Sequence, residues 1–307
     1  MKTITIVQAI LLIMLCNINN LLGQNTSDFS VFNHSLNLVN PAFTGVNGKT
    51  QIASNYKKIW AGIENSMHSS IISFSMPTKK GIGVGVNVIN DSFYLFNKSN
   101  VSGNVSYKVQ LNLENELLFG LKASLKFFNP NFNRIKTFEN NDPSFTKNID
   151  IISPNISIGL AFKNERYFIH FSVLNILTEV KNSIKITGTS NLLRANFGMG
   201  IYHELNSDLG LTTTSLFRTI QGAPVSIDIT SMLTVNNKYD IGLTYRYNAA
   251  LMTNFLINTT NWLQLGYSYG IPLNEIAKYN NGTHEFFIRM HLKKQTKNPF
   301  KSRLKCF

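Results

Sequence analysis

The chain has 307 residues, a formal net charge of +13, and 43% hydrophobic against only 15% charged residues. So few charges are unusual for a soluble enzyme, while the basic excess points to acidic or phosphate-bearing partners and says nothing about fold. Of the two cysteines, Cys16 and Cys306, the first falls in an export signal, which excludes an internal disulfide framework and any metal cluster built on cysteine.

Residues 1–23 predict a cleaved secretory signal: Lys2 supplies the positive end, Ile4 to Leu15 the apolar stretch, and Gly23 the small residue before Gln24. Leu15 before Cys16 is not the small residue that lipid attachment needs. Residues 24–50 then form a lead-in without strand character. Within it, "NLVNPAFTGVNG" mixes the turn formers Asn40, Pro41, Gly45 and Gly48 with apolar Phe43 and Val46.

From residue 51 the dominant signal has period two. Val84, Val86 and Val88 alternate with Gly83, Gly85 and Asn87, and Leu117, Phe119, Leu121 and Leu125 alternate with Gly120, Lys122 and Lys126. Successive strand side chains point to opposite faces, so each such segment has one apolar and one polar face. Roughly fourteen segments fit, near 51–61, 68–76, 81–90, 99–110, 116–127, 154–163, 166–174, 192–204, 208–219, 224–235, 238–248, 251–258, 261–270 and 283–293. Their connections sort by parity. "PTKK", "NLEN", "KNER", "ELNSD", "NNK" and "TTN" are tight; the alternate set includes "NDSFYLFNK", loops over 128–153 and 175–191, and "IPLNEIAKYNNG".

After the signal no apolar run reaches the roughly 18–20 residues of a membrane helix. With 22 Phe and 11 Tyr, the pattern predicts an all-β chain: an antiparallel transmembrane β-barrel of about 14 strands over 51–293, with periplasmic turns and longer extracellular loops. The lead-in 24–50 is then periplasmic, a plug or a rim strap, and 294–307 a basic periplasmic tail. A soluble β-sandwich would alternate too, but it has no reason to sort its loops by parity.

Catalytic patterns are missing. The six histidines make no HExxH arrangement and no zinc spacing with cysteine, and no GxSxG elbow is present. The glycines of "GIGVGVNVIN" alternate inside a strand with no helix after them, so they are read as small residues on a barrel wall. No cofactor, no metal and no nucleic-acid partner is expected, and the chain reads as a non-enzyme. A charge facing lipid near the midplane costs about 2–4 kcal/mol, so Lys108, Lys122, Lys126, Arg194, Arg246, Arg289 and His291 are expected to face the lumen, with Asp228 the one clear acid. Such a lumen suits either weak anion selectivity or an acidic or carboxylate-bearing peptide.

The segment "LNLVNPAFTG" resembles the LNPAYAG-type signature of the PorP/SprF family of Bacteroidetes outer-membrane proteins, with Phe43-Thr44 in place of Tyr-Ala. "NYKKIWAGI" with Trp60, "NNDPSFTKNIDIISPNISIGL", "NERYFIHFSVLNIL", and the closing "YGIPLNEIAKYNNGTHEFFIRM" with Gly282, Thr283, His284 and Glu285 are similar to further family segments in the same order. The resemblance implies an outer-membrane accessory protein of type IX secretion or gliding motility. Such a protein helps export, attach or anchor a large cell-surface adhesin. Its implied partners are the adhesin or its C-terminal domain, periplasmic secretion and motility components, and outer-membrane lipid. Asn40, Pro41, Phe43 and Gly45 are then the candidate plug or docking residues. An anion-selective porin or ligand-specific channel is the alternative reading.

Overall fold

The computed structural model describes residues 29–30, 32–130, 151–177 and 192–292. The expected signal, the tail 294–307 and most of the two longest loops lie outside them. Fourteen strands run in chain order around a closed barrel: β1 (Gln51–Lys58), β2 (His68–Pro77), β3 (Ile82–Phe93), β4 (Phe96–Gln110), β5 (Glu116–Pro130), β6 (Ile151–Lys163), β7 (Tyr167–Leu174), β8 (Arg194–Glu204), β9 (Leu209–Ile220), β10 (Ala223–Val235), β11 (Tyr239–Arg246), β12 (Ala250–Asn258), β13 (Leu263–Pro272) and β14 (Thr283–His291). All neighbours are antiparallel, and β1 closes onto β14 with Gln51 opposite His291 and Lys58 opposite His284. Closure matters because an unpaired strand edge in hydrocarbon would leave backbone groups without partners.

Alternation dictates which way each strand faces. On β5, Phe119, Leu121, Leu125 and Phe127 are exposed, whereas Leu118, Lys122, Ser124 and Phe128 are buried. The same outward apolar row continues on β6 with Ile152, Ile156, Ile158 and Leu160, and on β7 with Tyr167, Ile169 and Phe171. In water such a surface would be an aggregation hazard. Against lipid tails it is the solvated face.

The six tight turns named from the sequence lie at the rim where odd-numbered strands begin, which is the periplasmic rim by the usual pattern of such barrels. The opposite rim is less uniform than the sequence suggests. "NDSFYLFNK" is not a long loop: β3 and β4 stay paired to Phe93 opposite Phe96, with Tyr94 at φ 51° in the tip. Asp91 opposite Lys98 and Ser92 opposite Asn97 are polar on both faces, so the hydrophobic alternation ends while the backbone ladder continues. The β9–β10 and β11–β12 connections at that rim are tight as well.

β4 and β5 have 15 residues each while β1, β7 and β11 have 8. Crossing the hydrocarbon takes about 9–11 residues. β4 and β5 therefore have more residues than the crossing needs, and they stay paired as far as Phe96 opposite Pro130 at their loop-side end. At the same rim, the β1–β2 loop 59–67 is tied to the β13–β14 loop: Ala61 N donates to Gly282 O at 2.8 Å and Asn281 N to Ala61 O at 2.7 Å.

A closed ladder of this size resists detergent. The protein in outer-membrane extracts should migrate differently on a denaturing gel before and after boiling, and a single unshifted band, or recovery in the soluble periplasm, would contradict the assignment.

Candidate functional site: a lumen filled by the lead-in

The lead-in lies inside the barrel. It contributes a 3₁₀ turn at Phe32–His34, a helical turn α1 (Leu36–Val39) and a second 3₁₀ turn at Pro41–Phe43. Its apolar side chains Phe32, Leu36, Ala42 and Phe43 pack on the inward residues Leu118, Ala161, Phe168 and Leu216 of the wall, with Val39, Val46 and Tyr202 against the same cluster. Phe43 meets Phe168 and His170 edge-on, at 5.8 Å and 5.3 Å between ring centres. A chain segment this short cannot hold helical turns alone; the wall supplies what the turns lack.

That supply is visible at the carbonyls that end α1, which have no partner within the helix. Lys122 Nζ donates to Leu38 O at 3.1 Å, and Ser172 Oγ and Asn196 Nδ2 donate to Val39 O at 2.8 Å and 3.0 Å. Asn37 Nδ2 donates to Ser73 Oγ at 2.8 Å.

Asn40 and Pro41 now have physical roles. Asn40 is fully buried; its Oδ1 accepts from Ala42 N at 2.9 Å, capping the second 3₁₀ turn, while Pro41 occupies the first helical position. The amide end of Asn40 donates to the carbonyls of Leu160 and Phe171 on β6 and β7, at 3.1 Å and 3.0 Å. Close approach of this turn needs wall positions without side chains. A Cβ at Gly120 would overlap the backbone of Pro41 and Ala42, and one at Gly159 would overlap the Asn40 side chain. Gly83 has the same relation to Thr44 O, which also accepts from Ser106 Oγ at 2.5 Å. Gly45, at φ +67°, turns the chain beside the Met76 carbonyl towards β1.

The other end of the lead-in is held by Glu285. Its Oε2 accepts from Ser30 N at 2.9 Å and Ser30 Oγ at 2.6 Å, and its Oε1 accepts from Asn55 Nδ2 at 2.8 Å. His284, adjacent in sequence, faces outwards, with Nδ1 2.7 Å from the Tyr267 hydroxyl. Neighbouring strand residues point to opposite faces, so His284 and Glu285 do not form an acid–base pair. Gly282, at φ +83°, serves the loop tie through its carbonyl, and Thr283 starts β14 opposite Gly270.

The inward charges do not gather into one cluster. Arg246 is opposite Asp228 and donates to it through Nε and Nη2 at 2.8 Å and 2.9 Å, and Arg218 donates to the same carboxylate at 2.8 Å. Asp228 and Arg218 are 0% and 1% exposed. Arg246, expected to be an excess cation, is thus part of an Arg–Asp–Arg triad. Lys108 pairs with Glu116 at 3.0 Å, with Lys163 3.9 Å from its other oxygen. Arg289 lies buried over the Phe287 ring at 5.3 Å, and His291 ends β14 at the periplasmic mouth. Beside that mouth, burial and then the charge of Arg289 hold Lys49 below the usual lysine range. Asp228 is not the lone acid inside either, since Glu285 and Asp240 are buried there too.

Lys122, Lys126 and Arg194 do come together. They line a cavity of about 310 Å³ on the loop side of the lead-in, joined by Lys98 and Arg218, with Asp91 as its acidic lining residue and Phe29, Phe32, Leu38 and Val39 as its floor. Lys98 was hidden from sequence reading because its segment looked like loop. Arg218 was hidden because Leu216, two residues before it, spoils the polar face of β9. Among the described residues no group of three His, Cys, Asp or Glu side chains could hold a metal ion.

Two outcomes test this geometry. Gly120→Val should unseat the lead-in at a cost of about 1–3 kcal/mol from overpacking. Planar-bilayer recordings should then show openings that the parent barrel lacks; equal conductance in both would refute the plug. Asp228→Asn should cost about 3–5 kcal/mol, because two guanidinium groups lose their carboxylate, read as a lower temperature for loss of the folded gel band. Loss of no more than a degree or two would show the triad to be dispensable.

Solved structures of similar fold include the CymD monoaromatic hydrocarbon channel, at 9% identity over 89% of this chain and 96% of that one, with a TM-score of 0.49. The toluene transporter TbuX of Ralstonia pickettii gives 9% identity, 85% and 94% coverage and 0.49. The outer membrane protein Omp33 of Acinetobacter baumannii gives 8%, 81%, 100% and 0.46. No curated protein sequence matches the chain. A family model described as type IX secretion system membrane protein PorP/SprF matches residues 21–290.

Proposed function

Because the chain belongs to the PorP/SprF family of type IX secretion system membrane proteins, we propose that this outer-membrane barrel is an accessory that helps export, attach or anchor a large cell-surface adhesin by binding it. The observation that carries the reading is the occupied lumen. A diffusion porin keeps a water-filled path along its axis. Here the chain's own residues 32–46 fill the interior with an apolar cluster and satisfied polar contacts. A barrel that closes itself in this way is built to present surfaces rather than to pass solutes.

Both rims offer such surfaces. The loop side has the long strands β4 and β5, the tied loops and the cavity lined by Lys122, Lys126 and Arg194, where the adhesin or its C-terminal domain would dock. On the periplasmic side, where β14 ends, the basic segment 294–307 with Lys294, Lys297, Lys301, Arg303 and Lys305 would suit acidic surfaces of periplasmic secretion and motility components.

Cells lacking this protein should lose the adhesin from their surface, with the missing material recovered in the medium or inside the envelope. Surface labelling against total adhesin measures it. Unchanged surface display at full adhesin expression would end the anchoring reading.

A further inference from the structure

We propose that the outer wall at the β1–β14 seam carries a binding site for the phosphate-bearing headgroup of an outer-leaflet lipid, formed by Lys58 with His68 and His284 on either side. The site lies outside the lumen and does not depend on the adhesin reading.

The strands keep their cations inside. Lys57, Lys122, Arg218 and Arg289 are buried on the inward face. Along β1, Ala53, Asn55 and Lys57 are buried while Ser54, Tyr56 and Lys58 are exposed. Among the described strand residues Lys58 is the one lysine or arginine on the outward face. It lies opposite His284 on β14 and opposite His68 on β2, and both of these also face outwards. Opposed side chains on paired strands leave the wall about 5 Å apart, and like charges so placed repel. Three bases therefore stand side by side across three strands.

The row continues through Tyr269 and Thr253 on one side and Ser92 and Asn97 on the other, none of them acidic. The acids of the two neighbouring loops are Glu64 and Glu275. Glu275 pairs with Lys278 at 2.5 Å. Among the described residues Lys58 takes part in no ion pair. Its surroundings are nonetheless fixed. The tie between Ala61 and the residues Asn281 and Gly282 holds the ends of β1 and β14 together just beyond Lys58 and His284. The Tyr267 hydroxyl, 2.7 Å from His284 Nδ1, sets that ring and leaves Nε2 open. Tyr56 lies 6.4 Å from the His68 ring.

The rows beneath show what this part of the wall touches. Next to the bases come Tyr56, Phe286 and Tyr267, all exposed, and after them Ile72 and Ile288 on either side of Ser54. Aromatic rings line the edge of the apolar band in such barrels. The bases beyond them are thus at headgroup level, where an outward charge costs little. A phosphate group offers several acceptor oxygens in a small volume and suits an ammonium between two imidazoles. Acyl chains attached to it would lie on Phe286, Ile72 and Ile288. A soluble anion would use the bases and leave that surface idle. An acidic polypeptide would bring backbone groups to a wall whose own are already paired.

The test uses the full-length protein, delipidated in nonionic detergent, with lipid binding counted by native mass spectrometry. The probes are monophosphorylated lipid A and the same glycolipid with its phosphate removed, with millimolar inorganic phosphate as competitor. The phosphorylated form should bind about tenfold tighter than the dephosphorylated one, as expected when charge-assisted hydrogen bonds are gained. Inorganic phosphate should displace it poorly. Lys58→Gln should bring the two lipids to equal affinity, and Lys58→Arg should retain the preference. His68→Gln with His284→Gln should weaken the phosphorylated lipid by about threefold. Lys238→Gln, which removes an exposed lysine beside Tyr239 at the opposite rim, should change nothing. The folded gel band certifies each variant. Equal binding of the two lipids to the parent protein, a preference that survives Lys58→Gln, an equal loss with Lys238→Gln, or phosphate competing as an equal would each overturn the proposal.

Discussion

Inside a bilayer there is no water to satisfy a backbone N–H or C=O, and the whole molecule follows from that constraint. A sheet that crosses hydrocarbon has to close, so β1 meets β14. Closing a sheet creates an inside, and the alternation that puts Leu121 and Ile158 against lipid puts Lys122 and Gly159 within it. Polar side chains facing one another across a narrow lumen then need partners. The lead-in provides them in the form of unpaired helix carbonyls at Leu38 and Val39.

The molecule therefore has two kinds of apolar contact, separated by the thickness of one strand. The outer one is with lipid, which offers no shape and little specificity. The inner one, Phe32, Leu36 and Phe43 on Leu118, Phe168 and Leu216, is close-packed like the core of a soluble domain and specifies one arrangement. The inward cations sort around it. Those near a carboxylate form buried ion pairs whose net worth is small but whose breakage is costly. On the loop side, Lys122 holds the Leu38 carbonyl and Lys126 the Asn175 side chain.

Strand positions and facing were legible because a period-two pattern over ten residues has one solution in a membrane. Strand ends were less so. Past Asn90 the pattern goes polar on both faces although β3 and β4 remain paired, and periodicity detects burial, not hydrogen bonding. The plug was only half legible. Asn40, Pro41 and Gly45 signalled a compact turn, but not where it sits. The overlooked signal lay in the strands, where runs such as Leu117-Leu118-Phe119 and Tyr167-Phe168-Ile169 interrupt the alternation. An apolar side chain on the inward face of a barrel needs something apolar inside to cover it. Pairings such as Arg246 with Asp228 and Arg218 were out of reach, since register between strands is set by turns and by the β10 irregularity between Ala223 and Ser226, none of which composition records.

The bond between Ser30 and Glu285 joins the lead-in to the last strand of the barrel. During biogenesis the lead-in emerges from the export channel before any strand, yet its anchor is made only after thirteen strands are in place. The lead-in's contacts to β5, β6 and β7 through Lys122, Leu160 and Phe171 do not involve β14. A chain that stops short of β14 loses the seam and this tether in one event. The closing strand thus carries both the seam of the wall and the hold on the first part of its contents.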